Sequence, residues 1–369
     1  MRIVFVLPDL PLSGAATRTV HIAEHLVCEG HHVVVVTFLR TIDNSLEERL
    51  RQSDIDVIRL TSLRGLRRLR DWLTDSTHTV IHAAMPTAGL LGLFLARISR
   101  CPIVYSYTNC LHTQRPLESR SLWDHVKSRL EEFLAKKCEA LHAVSNSVAA
   151  QLLREYPYAA YRVHAIPYRV TRPASGEAIH DLQVLEGLVH AWPKLLYVGR
   201  LLAHKRVDDV IRAVAAIRDK WPKVRLVVLG SGSERHQLAR LVAELGVMDS
   251  VVFTGESNSP ARLFDWADLL VHPSLYEGYP RVFAEAIAAG TPVVSIDSPY
   301  ARELTKGGAS VFLARPMDSA SLAATIVEAL QNVGSTNAHN GYGADASICG
   351  LCELYAGLPI RADRARASK

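Results

Sequence analysis

Short apolar runs alternate with longer stretches of helical period through nearly the whole chain. Residues 3–7, 32–38, 55–60, 79–83, 102–107 and 163–167 read as strands in the first half, and 194–198, 224–229, 251–256, 267–272 and 291–296 in the second. Most of these runs lack polar alternation, so both faces of each strand need cover. Helical stretches between them, such as 15–29, 87–98, 122–140 and 281–289, supply it. This order selects an α/β fold with doubly wound parallel sheets, each strand returning through a helix. A chain of 369 residues divides into two cores of this kind. Between them, Pro, Gly, Glu and His break any period except for a short helix over 179–190. The expected layout is an N-terminal domain over 1–170, a linker over 171–192, a C-terminal domain over 193–332 and a tail over 333–369.

One stretch of the second domain is more punctuated than the rest: Tyr276-Glu277-Gly278-Tyr279-Pro280-Arg281-Val282-Phe283-Ala284-Glu285, running on to Gly290-Thr291-Pro292-Val293-Val294. Proline suits a first helical position and glycine the residue after a helix, so a helix over 281–289 is predicted, with a buried strand after it. Glu277 then lies on the preceding loop and Glu285 on the second turn, eight positions on. The backbone N–H groups over 280–283 are expected to be free and aimed into the space before the helix, which is an anion site.

This pattern, E-G-Y-P-x-V-x-x-E-A-x-A-x-G-T-P-V-V, resembles the nucleotide-sugar signature of retaining glycosyltransferases of the GT-B fold, glycosyltransferase family 4-like. The resemblance implies two Rossmann-like domains facing a central cleft, with the donor on the C-terminal half and the acceptor on the N-terminal half. It implies that Glu277 contacts the donor sugar, while Glu285 holds the ribose hydroxyls. Gly199-Arg200-Leu201 followed by Lys205 resembles the family's G-R-L and K-G elements, and Arg200 and Lys205 carry over as ligands of the donor diphosphate. Arg206 stands where the family has glycine. The loop with Gly230 faces the donor side in the family, and the strand ending at Gly255-Glu256 cradles the base. Gly278, Tyr279, Pro280, Arg281 and Val282 complete the implied donor contacts, and Glu303 matches a further family glutamate. Gly14, in the loop after the first strand, keeps one of two family glycines and is expected to let backbone approach the diphosphate or the acceptor.

Magnitudes rank the phosphate ligands. A helix end contributes about 0.3–1 kcal/mol to an anion, and up to roughly 2 when partly buried. A charge-assisted hydrogen bond contributes about 1.5–3 kcal/mol. Arg200 and Lys205 should therefore bind the diphosphate, and the helix at Arg281 should orient it. The implied reaction is front-face displacement with retention of configuration, without a divalent metal or other cofactor. Glu277, Arg200 and Lys205 would act at the reacting centre.

The N-terminal half departs from the family in several places. Ser13 replaces one glycine, Ala84 replaces the second histidine of a pair begun by His82, and Thr108-Asn109-Cys110 precedes His112 where the family has a histidine near the acceptor. Ser145 or Ser147 is the expected cap of a helix. His21-Ile22-Ala23-Glu24-His25 has inverted zinc-peptidase spacing, but its helix follows a buried strand and a glycine loop, so surface histidines are the better reading. Cys349-Gly350-Leu351-Cys352 lacks a partner pair and reads as two cysteines on one helix face.

Hydrophobic residues make up 49% and charged residues 21%, a globular balance, and no apolar run approaches the roughly 20 residues of a membrane span. The apolar start, residues 1–7, is too short for a signal peptide. Six scattered cysteines favour a reducing compartment. A net charge of +5 suits a phosphate-bearing ligand or an anionic membrane surface and is too weak for nucleic acid. Basic runs over 64–70 and 122–140 raise membrane contact, though a solvated helix face is the default. The expectation is a cytoplasmic enzyme, peripheral on the membrane at most. It would move a sugar from a nucleoside-diphosphate sugar to a glycan, lipid-linked or small-molecule acceptor in cell-envelope or polysaccharide synthesis. A nucleotide-sugar epimerase and a non-catalytic donor-binding subunit are the alternatives.

Overall fold

Strands form where the apolar runs lie, and every paired strand is parallel. The computed structural model describes residues 1–11, 14–39, 45–74, 78–108, 122–167, 187–188, 190–257, 261–332 and 345–359. Most of the expected linker, its short helix and residues 333–344 lie outside the described residues, as do Ser13, Asn109, Cys110 and His112. The chain forms two units. The first is Met1–Tyr168 with Asp345–Lys369, and the second is Arg169–Ala344.

The first unit runs β1 (Arg2–Leu7), α1 (Gly14–Cys28), β2 (His32–Thr37), α2 (Ser45–Gln52), β3 (Asp56–Arg59), α3 (Leu63–Thr74), β4 (Thr79–Ala84), α4 (Pro86–Ser99), β5 (Ile103–Tyr107), α5 (Leu122–Lys137), β6 (Ala140–Ala143), α6 (Asn146–Glu155) and β7 (Val163–Ala165). Its sheet order is β3-β2-β1-β4-β5-β6-β7. Steps from β1 to β3 go one way along the sheet, and later steps go the other. Right-handed crossovers therefore place α1 and α2 on one face and α3 to α6 on the other. Helix α4 starts with Pro86 at its first position. It lies close against its neighbours because Gly89 has no side chain: a Cβ there would sit 2.5 Å from Leu134 of α5 and 2.8 Å from the Tyr105 ring. Ser145 caps α6, its hydroxyl accepting from the Val148 N–H at 3.1 Å. Gly14, expected in a loop, is instead the first residue of α1, and a Cβ there would meet nothing within 4 Å. The fold itself does not require a glycine at that position.

A last helix, α13 (Asp345–Ala356), belongs to this unit, packs on α1 and buries Ile348, Leu351, Leu354 and Tyr355. A buried polar chain fastens it. The Tyr355 hydroxyl meets His82 Nδ1, and His82 Nε2 lies 2.6 Å from Ser106 Oγ. Ser106 Oγ is 2.7 Å from His142 Nδ1, and His142 Nε2 is 3.0 Å from the Ile166 carbonyl. A carbonyl only accepts, so His142 carries its proton on Nε2. Its bare Nδ1 then takes the Ser106 proton, Ser106 accepts from His82 Nε2–H, and His82 Nδ1 accepts from Tyr355. Every proton in the chain is assigned by its end, provided both imidazoles are neutral. Burial pulls His82 well below its ordinary value and His142 down to about 4.

The second unit runs β8 (Lys194–Val198), α7 (Val207–Ile217), β9 (Arg225–Leu229), α8 (Arg235–Glu244), β10 (Val251–Gly255), α9 (Ala261–Trp266), β11 (Leu269–His272), α10 (Arg281–Ala289), β12 (Val293–Ile296), α11 (Pro299–Lys306), β13 (Val311–Ala314) and α12 (Ser319–Asn332). Its order is β10-β9-β8-β11-β12-β13. Leu195, Tyr197, Leu226, Val228, Leu269, Val271 and Val294 point into a core closed by Val210, Ile211 and Val214 of α7 and Ile326 of α12. Asp318 caps α12, accepting from the Ser321 N–H at 2.8 Å.

Acid should loosen the first unit within a defined window. Unfolded, His142 takes up a proton below 6.5, whereas folded it resists until about 4. Stability is then lost as pH falls from about 6.5 to about 4, by about 3 kcal/mol from His142 alone. Urea denaturation across that range should show the slope, reduced in His142→Gln; a flat wild-type profile would contradict the neutral chain.

Candidate active site

Strand order reverses between β8 and β11, which are neighbours in the second unit's sheet. Their following helices leave toward opposite faces, so the loops at their carboxyl ends part and open a crevice. The loop from β8 carries Arg200 and Lys205, and the loop from β11 carries Glu277. The two loops are joined by backbone, the Leu275 N–H donating to the His204 carbonyl at 2.9 Å.

At their meeting point the Lys205 ammonium is hydrogen-bonded to Glu277 Oε1. Both side chains are nearly covered, 12% and 15% exposed. Burial works against the Glu277 charge, but the Lys205 ammonium, by its charge and its hydrogen bond, outweighs it and holds the carboxyl below its usual range. An ion pair this deep gains little for folding over an apolar pair of the same size, so stability alone is a weak reason for it. Lys205 and Glu277, which the resemblance assigned to one donor site, therefore meet on one side of it. Arg200 is exposed on the same loop, its carbonyl accepting from the Tyr197 hydroxyl at 3.1 Å.

The residue after Lys205 shows why the family has glycine there. Arg206 sits in the left-handed region, φ 54° and ψ 41°. A non-glycine residue is strained there, and Arg206 is held by its own side chain. Its guanidinium grips Asp209 at 2.8 and 2.9 Å and reaches Asp208 at 3.0 Å. The cation that departs from the family pattern is thus spent on the first turn of α7.

Helix α10 starts at Arg281 and ends at Gly290, as the sequence predicts. Its start is less open than expected. The Phe283 N–H already donates to the Pro280 carbonyl at 3.0 Å, and proline has no N–H. Of the four positions expected to be free, only Arg281 and Val282 keep an N–H without an acceptor inside the helix. Glu285 is buried on the second turn and accepts from Arg281 Nε at 2.5 Å. Burial raises its carboxyl above the ordinary value, and Arg281 only partly offsets this. Gly278, Tyr279 and Pro280 are all buried in the turn before the helix.

Gly230 is required by close backbone contact. It has φ 137°, and a Cβ would fall 2.0 Å from the Gly199 carbonyl oxygen. The loops after β8, β9 and β10 are joined there, with Leu201 N–H to the Ser231 carbonyl at 2.7 Å and Gly230 N–H to the Gly255 carbonyl at 2.6 Å. Glu256 is exposed and accepts from the Ser231 hydroxyl.

Sequence reasoning missed His272. It ends β11, buried, with Nε2 3.8 Å from Glu277 Oε1. Its ring stacks on Tyr197 at 5.5 Å and meets Phe283 edge-on at 5.4 Å. Burial, with Lys205 adding to it, pulls His272 down to about 4, so at neutral pH it is an uncharged wall beneath the carboxylate. Its place at the carboxyl end of a strand was the available signal.

The first unit also has a pocket at its strand reversal, between β1 and β4. It is lined by Leu7, Arg18, Thr19, His82, Ser106 and Thr108 among others. Ala84, in place of the family's second histidine, is part of the wall. His82 offers the pocket no spare nitrogen, since Tyr355 and Ser106 engage both. The His21–Glu24–His25 triplet does not form a metal site: Glu24 grips Arg49 at 2.6 and 2.7 Å, and His25 Nδ1 lies 2.8 Å from the His21 carbonyl. No metal-binding cluster occurs among the described residues.

Comparison with known proteins places this geometry. Residues 12–170 match the family described as Glycosyltransferase Family 4, and residues 187–344 match Glycosyl transferases group 1. The alpha-monoglucosyldiacylglycerol synthase of Streptococcus pneumoniae is 25% identical, over 89% of this chain and 77% of that protein. The alpha-D-kanosaminyltransferase of Streptomyces kanamyceticus is 25% identical, over 73% and 72%. Anabaena HepE, solved with UDP and glucose, superposes with a TM-score of 0.79 at 21% identity, covering 97% of this chain and 100% of that one. With a glycosyltransferase family matched on each half and the GT-B fold on both, the chain belongs to the GT-B glycosyltransferases, its C-terminal half in glycosyl transferases group 1.

Proposed function

We propose that the protein transfers a sugar from a nucleoside-diphosphate sugar, a uridine diphosphate hexose first among candidates, with retention of configuration. The carrying observation is the buried Lys205–Glu277 pair at the strand reversal of the second unit, beside the start of α10. The uridine diphosphate in the similar HepE structure supports the choice of donor. The acceptor is assigned to the pocket of the first unit, whose hydroxyls and Arg18 suit a polar or lipid-linked sugar acceptor. The two relatives, one named for a glucosylated lipid and one for an amino-sugar transfer, support envelope lipid or glycan synthesis as the setting.

In this reading Lys205 and Arg200 neutralise charge on the departing diphosphate, which is the main electrostatic task of the transfer. Lys205 is already aimed by Glu277, so little reorganisation is needed when phosphate arrives. Glu277, kept ionised by Lys205, accepts from sugar hydroxyls and faces the positive charge that builds at the anomeric carbon. The Arg281 and Val282 N–H groups orient the phosphate. Glu285 accepts both ribose hydroxyls, giving up part of its bond to Arg281. The backbone of Gly230 and the turn over 278–280 shapes the donor surface, and Glu256 bounds it on the base side. Two cations and a helix start take the role that a divalent metal would have, so activity should survive chelation.

Titration calorimetry with uridine, guanosine and adenosine diphosphates tests the site. Lys205→Ala should weaken the preferred one by about 10- to 100-fold, the loss of one charge-assisted bond. Unchanged affinity would refute the assignment. Release of the nucleoside diphosphate on adding acceptor, with the product anomer read by NMR, tests transfer and retention together. Consumption of donor without acceptor would indicate an epimerase instead.

Donor binding should also weaken on acidification earlier than an ordinary glutamate allows. Burial holds the Glu285 carboxyl above 4.5, so its acceptor form is lost at higher pH. A donor affinity profile falling on the acid side, and flattened in Glu285→Gln, is the expected result; superimposable profiles would remove Glu285 from the donor site.

A further inference from the structure

Helices α3 to α6 cover one face of the first unit's sheet, and two neighbours in that layer, α4 and α5, pack side by side. Their outward stripes are unlike a solvated face. On α5, the exposed Trp123, Val126 and Phe133 and the half-buried Leu130 recur at three- and four-residue spacing, beside the buried Asp124, Glu131, Leu134 and Ala135. Trp123 is 72% exposed, and Leu122 beside it 81%. On α4, Leu91, Phe94 and Ile98 follow the same spacing, with Phe94 60% and Ile98 62% exposed. Single exposed apolar residues are ordinary, but two aligned rows on packed helices are not.

Cations bracket both rows. Lys127, Arg129, Lys136 and Lys137 are exposed on α5, and its only acid outside the buried face is Glu132, which pairs with Lys136 at 2.7 Å and Arg129 at 3.4 Å. Arg97 and Arg100 are exposed at the end of α4. The same layer carries α3, with exposed Arg64, Arg67, Arg68 and Arg70 and an exposed Leu63 and Leu66.

From this we infer that the outer face of α4 and α5 docks on a lipid bilayer bearing anionic headgroups. A protein partner fits less well, because protein interfaces are depleted in lysine at their core, whereas here lysines interleave with the aromatics. Tryptophan and phenylalanine inserted at headgroup depth with lysine and arginine reaching outward is the composition of an interfacial surface. No helix among the described residues is long and apolar enough to cross a membrane, so attachment at this face is peripheral. This inference does not depend on the donor assignment, because vesicle binding needs no turnover.

The test is flotation of the full chain with phosphatidylcholine vesicles, with and without phosphatidylglycerol. Recovery should be confined to the anionic vesicles and fall as salt rises. Lys127→Glu/Lys137→Glu and Trp123→Ser/Phe133→Ser should each lower the bound fraction by more than about tenfold. Both should keep the wild-type unfolding midpoint and nucleoside-diphosphate affinity, while Arg212→Glu on the second unit should float as wild type does. Absence from anionic vesicles, or double variants that float like wild type, overturns the proposal. So does a concentration-dependent dimer that Trp123→Ser/Phe133→Ser dissolves, which would make the face a protein interface.

Discussion

A parallel sheet covered on both faces leaves little room for polar chemistry except at the carboxyl ends of its strands. Where strand order reverses, adjacent loops separate, and side chains from two strands can meet over the gap. Lys205 from the β8 loop and Glu277 from the β11 loop meet at that place in the second unit. The rest of the site depends on this pair. It keeps the carboxylate ionised against burial, and it fixes the ammonium before any ligand arrives. His272 closes the floor beneath it as a neutral ring between Tyr197 and Phe283.

Rigidity around the pair comes from backbone. The loops after β8, β9 and β10 are joined by hydrogen bonds around Gly230, where a Cβ would collide with the Gly199 carbonyl. Arg206 adds a different device: its side chain holds a left-handed turn that glycine would adopt without strain. A cation near a phosphate site is easily assigned to the phosphate. Here its two carboxylate partners show that it serves the loop that aims Lys205.

The first unit uses its buried polar groups for another purpose. His82, Ser106 and His142 border the pocket, but their hydrogen bonds run in one direction from Tyr355 to the Ile166 carbonyl. They attach a helix from the far end of the chain to the sheet and remain neutral to do so. His82 therefore has both nitrogens engaged within the fold. The helix layer on the opposite face of the sheet carries the aromatic and basic rows of α4 and α5.

The strand and helix order was legible in the sequence because apolar runs, prolines and glycines are local signals. Pro280 and Gly290 bound α10, and Ser145 marks the cap of α6. Lys205 and Glu277 stand 72 positions apart, and only the family resemblance put them into one site. What the sequence left open were contacts between distant residues. The Arg206–Asp209 grip, the covered Phe283 N–H and the hydrogen-bonded state of His82 depend on partners that no local pattern names. The Tyr355–His82 contact joins residues 273 positions apart, so no period or spacing encodes it. Tertiary packing decided those cases because burial removes water as the alternative partner, and each polar group must then take what the fold brings within reach.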